Sequence, residues 1–150
     1  MTDPDLLRQL LDIEDIKRLK ARYFRTLDQK KWAEWGQVFA TDVNMDVPEA
    51  DLVLQGRDAV VEFVSGALEG ARTVHHGHMP EIELTGADTA RGTWAMFDYV
   101  EWPPQDDGTR IGLQGYGHYQ EEYVREDGEW RIARTKLVRL RVDWLGAALG

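Results

Sequence analysis

The sequence contains no cysteine, so disulfides, thiolate nucleophiles and thiolate metal sites are all excluded. Nowhere does it run for the roughly 20 apolar residues that a membrane-spanning helix needs. Its first thirty residues carry acids and bases throughout, without the apolar core of a signal peptide. Positive charge is scarce as well. Lys and Arg number 18 against 27 Asp and Glu, a net charge of −9, so the mean field repels phosphate backbones and anionic lipid. The one basic run, Arg134, Lys136, Arg139 and Arg141, alternates with apolar residues and reads as the solvated or salt-bridged face of a strand. A phosphate loop, a Rossmann fingerprint and a G-x-S-x-G elbow are missing. These absences point away from nucleic acid and membranes as partners and fit a cytoplasmic protein.

With no internal repeat, linker or low-complexity tract, the 150 residues suit one domain, 1–150, with a real core. Asp3-Pro4 opens a helix, Asp as cap and Pro in the first turn. Leu6, Leu7, Leu10, Ile13, Ile16, Leu19, Tyr23, Phe24 and Leu27 then recur at three- and four-residue steps as an apolar stripe. The pattern weakens near Asp12, where the stretch could divide into two helices. A second amphipathic piece spans Trp32 to Phe39. Short strands at 44–47 and 52–54 flank a turn at Pro48-Glu49, and Gly56 introduces a helix over Asp58 to Leu68. From Arg72 the pattern changes to strands over 72–85, 89–102, 110–125 and 130–142, separated by Gly, Pro and Asp turn chemistry. Helices first and an antiparallel meander second describe an α+β domain, with helices covering a bent sheet whose hollow forms a pocket.

Three of the four histidines fall within His75-His76-Gly77-His78, the most promising seat of proton chemistry or metal binding. Strand alternation splits them. His75 shares a face with Thr73 and Gly77, and His76 and His78 take the other unless a bulge near Gly77 or Pro80 intervenes. In one reading His75 is a general base in the hollow, oriented by a helical carboxylate, for which Asp28 is the best candidate. Tyr23, five residues earlier on that helix, is placed to donate to a substrate oxygen. Asp98, among Trp94, Met96 and Val100 on one strand face, is either a site carboxylate or a structural partner of a neighbouring Tyr or Arg. In the other reading His76 and His78 bind metal with Glu81 or Glu83, as in half of a cupin motif. That motif's next glycine is replaced by Ala90, and its second half is absent. His118, with Gln114 and Tyr116, reads as packing or an oligomer contact. Gly112, Gly115 and Gly117 mark a bend or a close approach.

The order Tyr23-x4-Asp28-x3-Trp32, Thr73-x-His75-x4-Pro80-x-Ile82 and Asp127-Gly128-x-Trp130-x-Ile132 resembles SnoaL-like proteins of the NTF2-like superfamily. The likeness is strongest to the branch of scytalone dehydratase, bile-acid 7α-dehydratase and gamma-hexachlorocyclohexane dehydrochlorinase. The resemblance implies a cone-shaped α+β fold with a deep pocket and no metal or organic cofactor. It also implies a proton-abstracting Asp–His pair, at Asp28 and His75. Tyr23 falls where the bile-acid enzyme has a tyrosine, and Asp98 near one of its acidic positions.

The expected function is therefore a cofactor-independent lyase of the dehydratase type, acting on a small apolar oxygenated molecule such as a steroid, polyketide or terpenoid. Its expected site residues are His75, Asp28, Tyr23 and Asp98. An isomerase or cyclase using the same base, or a non-catalytic ligand-binding or assembly module, are the alternatives. Apolar residues on both strand faces, as at Leu137 against Val138, Leu140 and Val142, lead to the expectation of a homo-oligomer. By family analogy it would be a trimer, otherwise a dimer.

Overall fold

The computed structural model describes residues 3–146. Helix α1 runs unbroken over Pro4–Asp28, with the Asp3 side chain accepting from the Asp5 N–H at 2.9 Å. The division that the pattern allowed near Asp12 does not occur, and the reason is local. Asp12 lies on the inner stripe, where Arg125 Nη2 and Trp130 Nε1 donate to it at 2.8 and 3.2 Å. Burial works against this carboxylate, yet those donors and the Arg125 charge hold it below its ordinary range. The packed stripe is Asp12, Ile16, Leu19, Lys20, Tyr23 and Leu27, whereas Leu6, Leu7 and Leu10 remain half exposed.

Helix α2 is shorter than its amphipathic pattern suggests, Trp32–Gly36, because Phe39 already belongs to β1, Phe39–Val47. A 3-10 turn, Pro48–Ala50, leads to β2, Leu52–Gln55, and then to α3, Arg57–Ala67. The four long strands follow as β3 (Arg72–Leu84), β4 (Thr89–Glu101), β5 (Gly112–Glu126) and β6 (Glu129–Leu145). They form one unclosed six-stranded sheet in the order β2-β1-β6-β5-β4-β3. Every neighbouring pair is antiparallel except the parallel pair of β1 and β6.

The helices cover the inner face of this sheet, and the strand pattern shows why. Along β4, Ala90, Trp94, Met96, Asp98 and Val100 alternate inward, and the apolar members meet Tyr23, Leu27, Trp35, Phe39 and Tyr119 in the core or extend it. Register shifts between Tyr116 and Gly117, between Glu122 and Tyr123, and between His78 and Glu81 bend the sheet. The irregularity in β3 thus falls at Met79-Pro80, with Met79 at φ 43°, and not at Gly77. Gly77 does something else. An added Cβ there would lie 2.7 Å from the Phe24 ring, so the bare position lets α1 approach β3. Among the described residues, no helix is long and apolar enough to cross a membrane.

Candidate active site

The C-terminal end of α1 reaches β3 through Asp28. Asp28 Oδ1 lies 2.7 Å from His75 Nδ1, and Oδ2 accepts the His75 backbone N–H at 2.9 Å. Thr73 Oγ1 donates to Oδ1 at 2.9 Å. Burial raises the carboxyl, but the His75 side chain, the His75 amide and Thr73 outweigh it and hold Asp28 below the ordinary range. An ionised carboxylate only accepts, so His75 Nδ1 must carry the proton. In the neutral ring, Nε2 then keeps the lone pair.

That lone pair faces Asp98, whose Oδ2 is 4.0 Å away, too far for a direct hydrogen bond. Asp98 is buried on β4, and both its oxygens are taken by Arg139 of β6. Nη1 donates to Oδ1 at 2.9 Å and Nη2 to Oδ2 at 2.8 Å. Of the two readings of Asp98 from sequence, a pair with an Arg is the arrangement present, but Arg139 reaches it from β6 across β5 and not from a neighbouring strand. Arg139 also forms an ion pair with Glu49, from the 3-10 turn, with Nε 2.9 Å from Oε1. Gly115 makes room for the pair, since a Cβ there would collide with Arg139 Nη1 and Asp98 Oδ1.

His75, Asp98, Arg139 and Tyr23 line a cavity of about 180 Å³ between the helices and the sheet. Leu27, Met45, Val47, Phe63, Val64, Leu68 and Leu137 supply its apolar wall, and Asp46, Glu49, Tyr119 and Thr135 add to the polar side. Asp28 stands behind His75 and also borders an outer groove with Phe24, Arg25, His76 and His78. A wider groove of about 650 Å³ is lined by Glu81, Glu83, Arg91, Glu122, Arg134 and Lys136, but none of the four expected site residues reaches it.

Under the cavity lies a polar cluster that no local sequence pattern announces. Lys20 is fully buried, with Nζ 2.9 Å from Glu121 Oε2 and 3.8 and 3.7 Å from the ring centres of Tyr23 and Tyr119. Glu121 also accepts from Thr135 Oγ1 at 2.7 Å and from the Tyr123 hydroxyl at 2.9 Å. Burial, reinforced by the Glu121 charge, pushes the Tyr23 phenol far above its ordinary value, so at neutral pH it is a donor and not a base.

The structure brings His75, Asp28, Tyr23 and Asp98 to one place and leaves His76 and His78 on the outer face. Among the described residues, no three His, Asp or Glu side chains converge as a metal-ligand set. The basic run is not one strand face. Arg139 enters the cavity, and Arg141 pairs with Asp143 outside at 2.7 Å. Arg139 and Glu49 were not singled out from sequence, although a signal for Arg139 was present. It is an even number of residues from Thr135 and Leu137 and an odd number from Arg134 and Lys136.

A family model described as the SnoaL-like domain matches residues 8–136. Among solved structures, the chain is similar to a candidate scytalone dehydratase from Novosphingobium aromaticivorans at 22% identity. That match covers 91% of this chain and 89% of that one, with a TM-score of 0.80. It is also similar to a type 2 hexachlorocyclohexane dehydrochlorinase, LinA, at 17% identity over 94% and 93% of the two chains, TM-score 0.81. A third match is Rv3472, a protein of unknown function from Mycobacterium tuberculosis. It is 28% identical over 88% of this chain and 78% of its own, TM-score 0.73.

Proposed function

The chain belongs to the SnoaL-like domain family, and on that premise we propose that it is a cofactor-independent lyase removing water, or a comparable small leaving group, from a compact oxygenated molecule. The observation that carries the reading is the 2.7 Å contact of Asp28 with His75 Nδ1, which leaves Nε2 as a base in the wall of a largely apolar cavity. The names of the dehydratase and dehydrochlorinase with the same fold agree with elimination as the reaction class.

Nε2 of His75 takes a proton from a substrate carbon, and the C–H electron pair becomes a C=C bond as hydroxide leaves the adjacent carbon. The imidazolium returns that proton to the hydroxide, giving water and neutral His75. Asp28 stabilises the imidazolium between the two transfers. Tyr23 donates a hydrogen bond to the substrate oxygen on which charge develops and keeps its own proton. Asp98, neutralised by Arg139, anchors a substrate hydroxyl opposite Nε2. Isomerisation uses the same base if the proton returns to carbon instead.

The cavity, at about 180 Å³, is smaller than the roughly 300–1,000 Å³ typical of drug-sized ligands. Among polyketides, terpenoids and steroids, that size favours a molecule of one or two rings. A positioned general base contributes about 10²–10⁴-fold. His75→Ala should therefore lose at least about a hundredfold in kcat on any accepted substrate, with the fold checked by circular dichroism. Undiminished turnover in the folded variant would mean that His75 is not the base.

A further inference from the structure

The hydrogen bonds to His75 do not end at Asp28. Lys30, just past the end of α1, donates from Nζ to Thr73 Oγ1 at 2.6 Å, and Thr73 donates onward to Asp28 Oδ1 at 2.9 Å. An ammonium has three donors and no acceptor. The Thr73 oxygen must therefore accept from Lys30, which commits the hydroxyl proton to Asp28. One cation thus fixes the direction of every bond up to the carboxylate that holds His75.

The backbone adds a second observation. Lys30 has φ 58°, in the left-handed region where Gly or Asn is the easier residue. A lysine held there, half-buried, with its ammonium bonded to Thr73 and 3.5 Å from the Leu27 carbonyl, is kept by its side chain. Burial lowers this ammonium's hold on its proton and the Asp28 charge raises it, so the two charges act on one another.

We propose that Lys30, acting through Thr73, is a positioning residue that sets how firmly Asp28 holds the proton taken up by His75. The proposal rests on the reading of His75 as the base. Two carboxylates flank the His75 ring, and Arg25 of α1 borders the outer groove beside it. Asp28 faces Nδ1 and has Lys30 behind it across Thr73; Asp98 faces Nε2 and has Arg139 behind it. Each carboxylate flanking the imidazole is thus backed by a cation. Without Lys30 the imidazolium is over-stabilised, and the return of the proton to the leaving group slows.

The test needs no substrate. The His75 ring C–H resonance, assigned by its loss in His75→Ala, is titrated by NMR in wild type, Lys30→Met, Lys30→Arg and Lys30→Gly. Removing a cation favours the protonated pair. The apparent midpoint of the Asp28–His75 pair should rise by about one pH unit in Lys30→Met and Lys30→Gly and stay near wild type in Lys30→Arg. Lys30→Gly relieves the left-handed backbone, so its thermal stability should hold or rise while the midpoint still moves. A purely structural lysine would give the reverse. An unchanged midpoint in Lys30→Met or Lys30→Gly, or equal shifts in Lys30→Met and Lys30→Arg, overturns the proposal. This titration reads the resting pair, so its failure is separate from that of the lyase reading, which fails on the turnover of His75→Ala.

Discussion

Gly115 is the position where one methyl group should separate the two charges that face the base. A Cβ added there would intrude on both Arg139 Nη1 and Asp98 Oδ1, two atoms now 2.9 Å apart. Neither can yield easily. Asp98 is 2% exposed and spends both oxygens on Arg139, whose Nε is in turn held by Glu49. Removing one partner of a buried ion pair costs about 3–5 kcal/mol. In Gly115→Ala both partners remain and Arg139 keeps Glu49, so a loss of about 2–4 kcal/mol is expected. For a chain of this size each kcal/mol moves Tm by about 2–4 °C, so the variant should melt roughly 5–15 °C below wild type by circular dichroism. The control is Gly66→Ala in α3, where an added Cβ meets nothing within 4 Å. There, exchanging Gly for Ala in a helix gains about 0.5–1 kcal/mol and Tm should rise. A Gly115→Ala protein melting within about 2 °C of wild type would refute the claim that this glycine exists to seat the Asp98–Arg139 pair.

Alkali should act on the phenols beneath the cavity. Burial raises Tyr23, Tyr119 and Tyr123, with Glu121 adding to each, so their stabilisation is complete below the unfolded value near 10 and is lost as pH rises above it. Lys20 is lowered by burial against the pull of Glu121, so its effect has the opposite sign and ends near pH 10.4. Above that, with three protons lost on unfolding, stability should fall by up to about 4 kcal/mol per pH unit; urea midpoints that stay level from pH 10 to 11.5 would contradict this. The outer sheet face leaves Val74, Tyr116 and Leu140 between 37% and 72% exposed, and a second copy of the chain is expected to cover it. Size-exclusion chromatography with light scattering should give a dimer or trimer mass that falls in Leu140→Lys, and a monomeric wild type at micromolar concentration would end that expectation.

How far the sequence could be read depended on whether a residue's role followed from its own element. The meander between Arg72 and Leu145 was legible because period-two alternation and turn residues are local properties, and three of its four runs began within a residue of the observed strands. Alternation separated His75 from His76 and His78, and the partner carboxylate Asp28 then selected His75 for the hollow. Helix α1 was read less well near Asp12. An acid on an apolar stripe looks like an interruption until its partners, Arg125 and Trp130, are known, and both lie more than a hundred residues away. Lys20 was opaque for the same reason, since nothing near it in sequence announces Glu121.

Arg139 marks a different boundary, where a local signal existed but was outweighed by composition. Four basic residues within eight positions look like one charged face, and a net charge of −9 makes any basic run conspicuous. Parity says otherwise. Arg134 and Lys136 share one face of β6, and Arg139 falls on the face of Thr135 and Leu137, toward the cavity. The shift in pairing with β5 between Tyr116 and Gly117 then returns Arg141 to the outside. Counting positions along the strand was therefore enough to separate Arg139 from Arg134 and Lys136, but not from Arg141, which only the shift in pairing sets apart. Only the fold could supply what it meets there, a buried Asp98 beside Gly115 of β5, whose missing Cβ leaves room for the pair.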